Sequence, residues 1–281
     1  MTTPDPRLHA VRPDLADIGL RGIVPSANFV KPRRMQVIEP IASIHKAPRI
    51  DAMQLTQALM GETAKVFEED NGWAWVQLEI DGYVGYVNAK ALSADISAPT
   101  HRVAVPSTFL YLKPNLKKQP AIVITLNAQV AVVGTQESFS QLSDGRFAIS
   151  DHLKPVGKWA ADFVTVAEMF RYAPYYWGGK SVHGLDCSGL VQLALEVCGV
   201  PAQRDSDMQE ETLGKTVPGN GVSGLKRGDL VFWDGHVGIM TDRTTLLHAN
   251  GHHMMVVAEP LENAVERIAQ RFGHITCIKR L

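Results

Sequence analysis

Two textures of apolar and polar positions divide this chain. From Met35 to about Ile96 the apolar residues fall in short alternating runs broken by turn residues, the two-residue period of half-buried strands. Val66-Phe67 leads to Asp70-Asn71-Gly72, then to Trp73-Ala74-Trp75-Val76-Gln77-Leu78. Asp81-Gly82 separates that run from Tyr83-Val84-Gly85-Tyr86-Val87. An Asp-Gly pair between alternating runs is a strong hairpin signal. A fainter copy of the layout follows, with Phe139–Ser143, Asp144-Gly145 and Arg146–Ile149. The repeat predicts two small β modules in tandem, over 37–97 and 98–156. Residues 1–36 are proline-rich and weakly periodic, and read as an extension lying across these modules.

Beyond Pro155-Val156-Gly157 the pattern changes. Asp162 can cap a helix running to about Arg171, with Val164, Ala167 and Phe170 on one face, and Pro174 ends it. Asp186 precedes a second helix through about Val197, in which Leu190, Leu193, Ala194 and Val197 keep helical spacing. Gly199 and Pro201 stop it. Strands are expected at Asp229–Trp233, His236–Met240, Thr244–Ala249 and near Ile275–Lys279. Residues 157–281 therefore read as an α+β domain.

Composition removes several classes. A length of 281 residues allows two or three modules. Lys+Arg 28 against Asp+Glu 29 leaves no basic surface for nucleic acid, and the densest pieces, Lys31-Pro32-Arg33-Arg34 and Lys117-Lys118, read as solvated surface. Cys187, Cys198 and Cys277 have no CxxC spacing, which argues against a disulfide scaffold or a zinc ribbon. No metal and no cofactor is expected. Met1 to Leu20 holds Pro4, Pro6 and Pro13 with no apolar core, so it does not read as a secretory signal. With no apolar stretch long enough for a bilayer, the expectation is a cytoplasmic protein without a membrane partner.

Candidate chemistry centres on Cys187. It falls in the first turn of a helix, just after the glycine-rich Tyr175-Tyr176-Trp177-Gly178-Gly179. Unpaired N–H groups and the positive end of the helix dipole would favour thiolate there. A lone cysteine is more often a small buried hydrophobe, and Cys198 and Cys277 fit that description. His236 follows the turn Asp234-Gly235, and His248 lies on the next strand. Each alone reads as a half-exposed hairpin histidine. With Cys187 they supply a base and a partner holding its ring in the tautomer that accepts the thiol proton. Gly179-Lys180-Ser181 imitates the end of a phosphate loop, but the required first glycine falls at Pro174.

Tyr175-x-Trp177-Gly178-Gly179, Asp186-Cys187-Ser188-Gly189-Leu190, Arg227-Gly228-Asp229-Leu230 and Gly235-His236-Val237-Gly238-Ile239 together resemble the NlpC-type cysteine peptidases. These are circularly permuted papain-like peptidoglycan hydrolases. The β modules more loosely resemble bacterial SH3-like domains. The resemblance implies a papain-like (circularly permuted) catalytic domain over 157–281, preceded by two small SH3-like β-barrels. It implies a nucleophile at Cys187, a base at His236, an orienting residue at His248 and oxyanion support from Tyr175.

Two SH3-like modules without a signal further resemble murein-peptide recycling enzymes. Those cut between γ-D-glutamate and a diamino acid in peptides with a free N-terminal L-alanine, and release L-Ala-D-Glu. Arg204-Asp205-Ser206 matches the segment whose Asp and Ser bind that amine, and Trp177, Asp186 and Ser188 match other pocket positions. Tyr111, in Thr108-Phe109-Leu110-Tyr111, is the candidate from the β modules, and a core tyrosine is an equal description. Read without the family, Asp205 is a solvated loop charge. Two alternatives stay open: a secreted hydrolase of intact peptidoglycan, and a non-catalytic wall-peptide-binding protein. The preferred diamino acid is not legible.

Overall fold

Asn71 and Gly72 close the first strong hairpin, with φ of 48° and 80°. They join strand Thr63–Asp70 to Trp73–Leu78, with Asp70 paired to Trp73. A two-residue loop with both residues at positive φ follows the twist of the strands, and Asn-Gly adopts it at little cost. The computed structural model describes residues 4–218, 222 and 224–281. It divides into two units, Met1–Val156 and Gly157–Leu281.

In the first unit seven strands form one sheet, in the order Gln54–Leu59, Ile41–His45, Val84–Asn88, Trp73–Leu78, Thr63–Asp70, Arg33–Val37, Leu92–Ser93. Alternation buries Val66, Ala74, Val76, Leu78 and Val87 together with Val37 and Ile44. The proline-rich extension is ordered by pairing and packing. Leu15–Asp17 pairs with Asn28–Val30, and Ala10 and Leu15 pack with Phe67, Trp75 and Val84. The second copy folds into a five-stranded and a three-stranded sheet around Val103, Leu110, Ile124, Leu142 and Ala148.

Two closed barrels were expected, and neither β region closes. The seven-stranded sheet keeps edges at Gln54–Leu59 and Leu92–Ser93, and the second copy is split between two sheets. Hairpin signals report neighbouring strands; closure depends on pairing between strands distant in sequence, which they do not report.

The second unit is built on six antiparallel strands, in the order Lys215–Thr216, Cys277–Arg280, Leu230–Trp233, His236–Met240, Thr245–Asn250, Met255–Pro260. Among the described residues four α-helices accompany it: α1 (Phe163–Glu168), α2 (Cys187–Val197), α3 (Ser206–Thr212) and α4 (Leu261–Phe272). α1 stops before the expected Arg171, and Tyr172 follows at φ 71°. Every residue of α2 is buried. It packs on the strands that carry His236 and His248.

α4 was not expected. Its Leu261, Ala264 and Ile268 join Val231, Trp233, Met240 and Leu246 in one core. Cross-strand partners share a sheet face, as do residues two apart on one strand. Trp233 pairs with His236, Met240 with Leu246, and Leu246 with Glu259. His236, His248 and Glu259 therefore lie on the face that α4 covers. No helix among the described residues is long and apolar enough to cross a membrane.

Candidate active site

Asp186 caps α2 and fixes everything around its first turn. Its Oδ1 accepts from the Gly189 N–H at 2.8 Å, and its Oδ2 accepts from the Gly178 N–H at 2.7 Å and from Arg204 at 2.6 Å. One carboxylate thus ties the glycine-rich loop, the helix start and a guanidinium that is only 1% exposed. Arg204 also donates to Ser188 Oγ at 2.8 Å. Gly189 permits the fit, since a Cβ there would stand 2.2 Å from the Gly179 carbonyl oxygen. Asp186 and Ser188 are therefore engaged by groups of the fold itself.

Cys187 is 9% exposed, and its sulfur accepts from the Val237 N–H, which sets it beside the strand that begins at His236. Burial pushes the thiol up to about 12 and the Asp186 carboxylate pushes the same way, against the Val237 N–H, Arg204 and the Ser188 N–H. The thiolate expected at the helix tip is therefore not the resting form. Raising a thiol from 9.0 to about 12 opposes ionisation by about 4 kcal/mol. A helix dipole supplies only about 0.3–2 kcal/mol. Burial wins.

The imidazoles lie in a chain. His236 Nε2 is 2.8 Å from His248 Nδ1, and His248 Nε2 is 2.7 Å from Glu259 Oε1. Arg267, on α4, grips Glu259 with two nitrogens at 2.7 and 2.5 Å. The His236 ring stacks on Phe272, centroids 6.2 Å apart. Burial lowers His236 to about 3, helped by His248 and Arg267 and opposed by Glu259. Burial also lowers His248, against the pull of Glu259. For Glu259 burial works upward, but the hydrogen bonds from His248 and Arg267 outweigh it and hold the group at about 2. At neutral pH the thiol and both rings are uncharged and Glu259 is ionised.

Tyr175 is half-buried, with its N–H bonded to the Met254 carbonyl at 2.9 Å. Burial, then the charges of Cys187 and Asp186, push its phenol above the ordinary range, so it stays a donor. Trp177 is 60% exposed. Asp205 holds the N-cap position of α3 without a side-chain cap bond, and Ser206 is the first helical residue. Gln209 ties α3 to the start of α2 by donating to the Ser188 carbonyl at 2.9 Å. Tyr111 belongs to the first unit, where it is 8% exposed and meets Phe139 edge-on at 5.7 Å.

Glu259 and Arg267 escape a reading of the sequence. A glutamate on an alternating strand looks like surface charge. The available signal was the apolar spacing Leu261, Ala264, Val265, Ile268 just after it, which marks a helix folding back on the sheet. Among the described residues no group of three or more potential metal ligands converges.

A buried thiol at a helix start, set beside an antiparallel sheet carrying paired imidazoles, defines the class. Residues 172–271 match the NlpC/P60 family and form an NlpC/P60 domain. Residues 44–92 match the bacterial dipeptidyl-peptidase Sh3 domain, and this part of the chain is such a domain. The chain is similar to a gamma-D-glutamyl-L-lysine dipeptidyl-peptidase of Bacillus cereus, 28% identical over 63% of this chain and 59% of that protein. The chain thus spans less than two thirds of that relative's length. It is also 24% identical to dipeptidyl-peptidase 6 of Lysinibacillus sphaericus, over 76% of this chain and 86% of the relative. A crystallised NlpC/P60 family protein from Bacillus cereus shares the fold, with a TM-score of 0.73 and 19% identity over 88% of this chain and 99% of that one.

Proposed function

We propose that this protein is a cysteine peptidase acting on murein peptides with a free N-terminal L-alanine. It cuts between γ-D-glutamate and the diamino acid and releases L-Ala-D-Glu. Two observations carry the reading: the 2.8 Å contact between His236 and His248, and the bond from the N–H of Val237, next to His236, to the buried sulfur of Cys187. The name of the Bacillus relative supports the peptidase class and the bond, and that of the Lysinibacillus relative supports the peptidase class.

With thiol and imidazole both neutral at rest, proton transfer accompanies attack. His236 Nδ1 takes the thiol proton while the sulfur bonds to the γ-carbonyl carbon. The Cys187 N–H at the helix start and the phenol of Tyr175 donate to the developing oxyanion. The imidazolium then protonates the leaving amine, the C–N bond breaks and a thioester remains. Water, deprotonated by His236, attacks the thioester; L-Ala-D-Glu leaves and the sulfur regains its proton.

Asp205 and Ser206 are assigned to the substrate ammonium, because a cation entering a partly closed pocket needs a carboxylate partner. Trp177 is assigned to the pocket rim. Asp186 and Ser188 serve it indirectly, by holding the loop and helix start. We read 1–36 as an extension, 37–97 and 98–156 as SH3-like modules, and 157–281 as a circularly permuted papain-like peptidase unit that works in the cytoplasm.

The test is mass spectrometry of products from defined tri- and tetrapeptides, free or acetylated at the N-terminus, with Cys187→Ala as control. Free peptides are expected to yield L-Ala-D-Glu, acetylated ones nothing, and the variant nothing from either. Turnover by the variant would end the assignment. Equal cleavage of both peptide forms would remove Asp205 from the amine and favour a hydrolase of intact wall.

A further inference from the structure

We propose that Glu259, gripped by Arg267, is a positioning residue that fixes the tautomers of both imidazoles and keeps Nδ1 of His236 free of a proton. The inference rests on the reading above that His236 is the base. It begins from the ionised carboxylate. A carboxylate only accepts, so the 2.7 Å contact from His248 Nε2 must carry the proton on that nitrogen. His248 is neutral, so its Nδ1 is then bare and can only accept. The partner 2.8 Å away, His236 Nε2, must therefore be the donor. His236 is neutral as well, which leaves its Nδ1 as the one nitrogen able to take a proton.

A competing contact tests the logic. Asn250 places its Nδ2 2.9 Å from the same His248 Nε2, and its orientation is fixed because its Oδ1 accepts from the His252 and His253 N–H groups. If that amide donated to His248 Nε2, the ring would carry its proton on Nδ1 and the whole chain would reverse. His236 would then hold its proton on Nδ1 and could not act as base there. The charge on Glu259 decides the matter. An ionised acceptor makes a hydrogen bond roughly twice as strong as a neutral one, and Arg267 bonds both carboxylate oxygens, which keeps the group ionised. Groups that play this part behind a metal-ligating histidine typically matter by about 10–100-fold, and the same scale is taken for His248.

A purely structural role would be to pin α4 to strand Met255–Pro260, so the test must read the rings. Long-range proton–nitrogen correlation spectra of the whole chain report which nitrogen of His236 and His248 is protonated. In the wild type both are expected as single Nε2–H tautomers. In Glu259→Gln a tautomer mixture is expected, with kcat on the free tripeptide reduced about 10–100-fold and KM within about twofold. A proton on Nδ1 of His236 in the wild type overturns the proposal, whether or not the variant folds. So does a fall in kcat with unchanged tautomers, which would leave Glu259 only structural, or no change in either measurement. Wild-type spectra as expected in a chain that cleaves no murein peptide would instead overturn the functional reading and leave the tautomer assignment standing.

Discussion

Nε2 of His236 lies 2.8 Å from Nδ1 of His248, and the two residues sit on neighbouring strands of one sheet face. The contact holds one ring by the other, so on the proposed reading the base is oriented before substrate arrives. His248→Ala is expected to lower kcat by about 10²-fold with KM nearly unchanged, the signature of lost proton-transfer geometry rather than lost binding. Steady-state kinetics on the free tripeptide check it. A rise in KM alone would move His248 from the base to the substrate.

The buried, neutral thiol makes a distinct prediction for alkylation. Only thiolate reacts, and Cys187 is held up to about 12. Its labelling by iodoacetamide should therefore be slow at pH 6 and climb through pH 9 without a plateau. Peptide mapping of the labelled sites gives the rate at each pH. A plateau in the acidic range would mean a resting ion pair with His236.

The Asp186–Arg204 pair predicts a stability effect. Asp186→Asn leaves a guanidinium 1% exposed without its carboxylate. Removing one partner of a buried pair typically costs about 3–5 kcal/mol. Urea denaturation of the variant should show that loss. Unchanged stability with a raised KM would return Asp186 to the substrate pocket.

Acid should loosen the second unit. His236 has an ordinary value of 6.5 when unfolded and about 3 when folded. The unfolded chain therefore binds more protons between those values, and stability falls as pH falls through that window. From pH 7 to pH 5 the loss through this residue is about 2 kcal/mol. Glu259, lowered from 4.5 to about 2, adds to the loss further down, because its stabilisation disappears as it protonates. A non-titrating His236→Leu variant should lose about 2 kcal/mol less between pH 7 and pH 5 in urea titrations. Parallel losses in both proteins would contradict the burial argument.

What the sequence disclosed was local. A helix from just after Asp186 through about Val197 is legible from its spacing, and α2 runs Cys187–Val197. The turn at Asp234-Gly235 put His236 at a strand start, as the structure has it. Partnerships across the fold were not legible. Arg204 pairs with Asp186 across eighteen residues, and no spacing rule links them. A helix tip, which favours the Cys187 thiolate, is visible in sequence, and the burial that opposes it is not. Glu259 was missed for a similar reason: its neighbours His248 and Arg267 stand eleven and eight residues away, on a strand and a helix that meet only after packing.

The grip of Arg267 on Glu259 has a bearing on how the protein comes into being. The ribosome joins α4 to the chain after the sulfur, both rings and the carboxylate. On the proposed reading, a nascent chain carries Cys187 for a time without the Arg267 clamp on Glu259. Competence would then arrive with the closing helix, and damage to that helix would be felt as lost chemistry at a sulfur encoded eighty codons upstream.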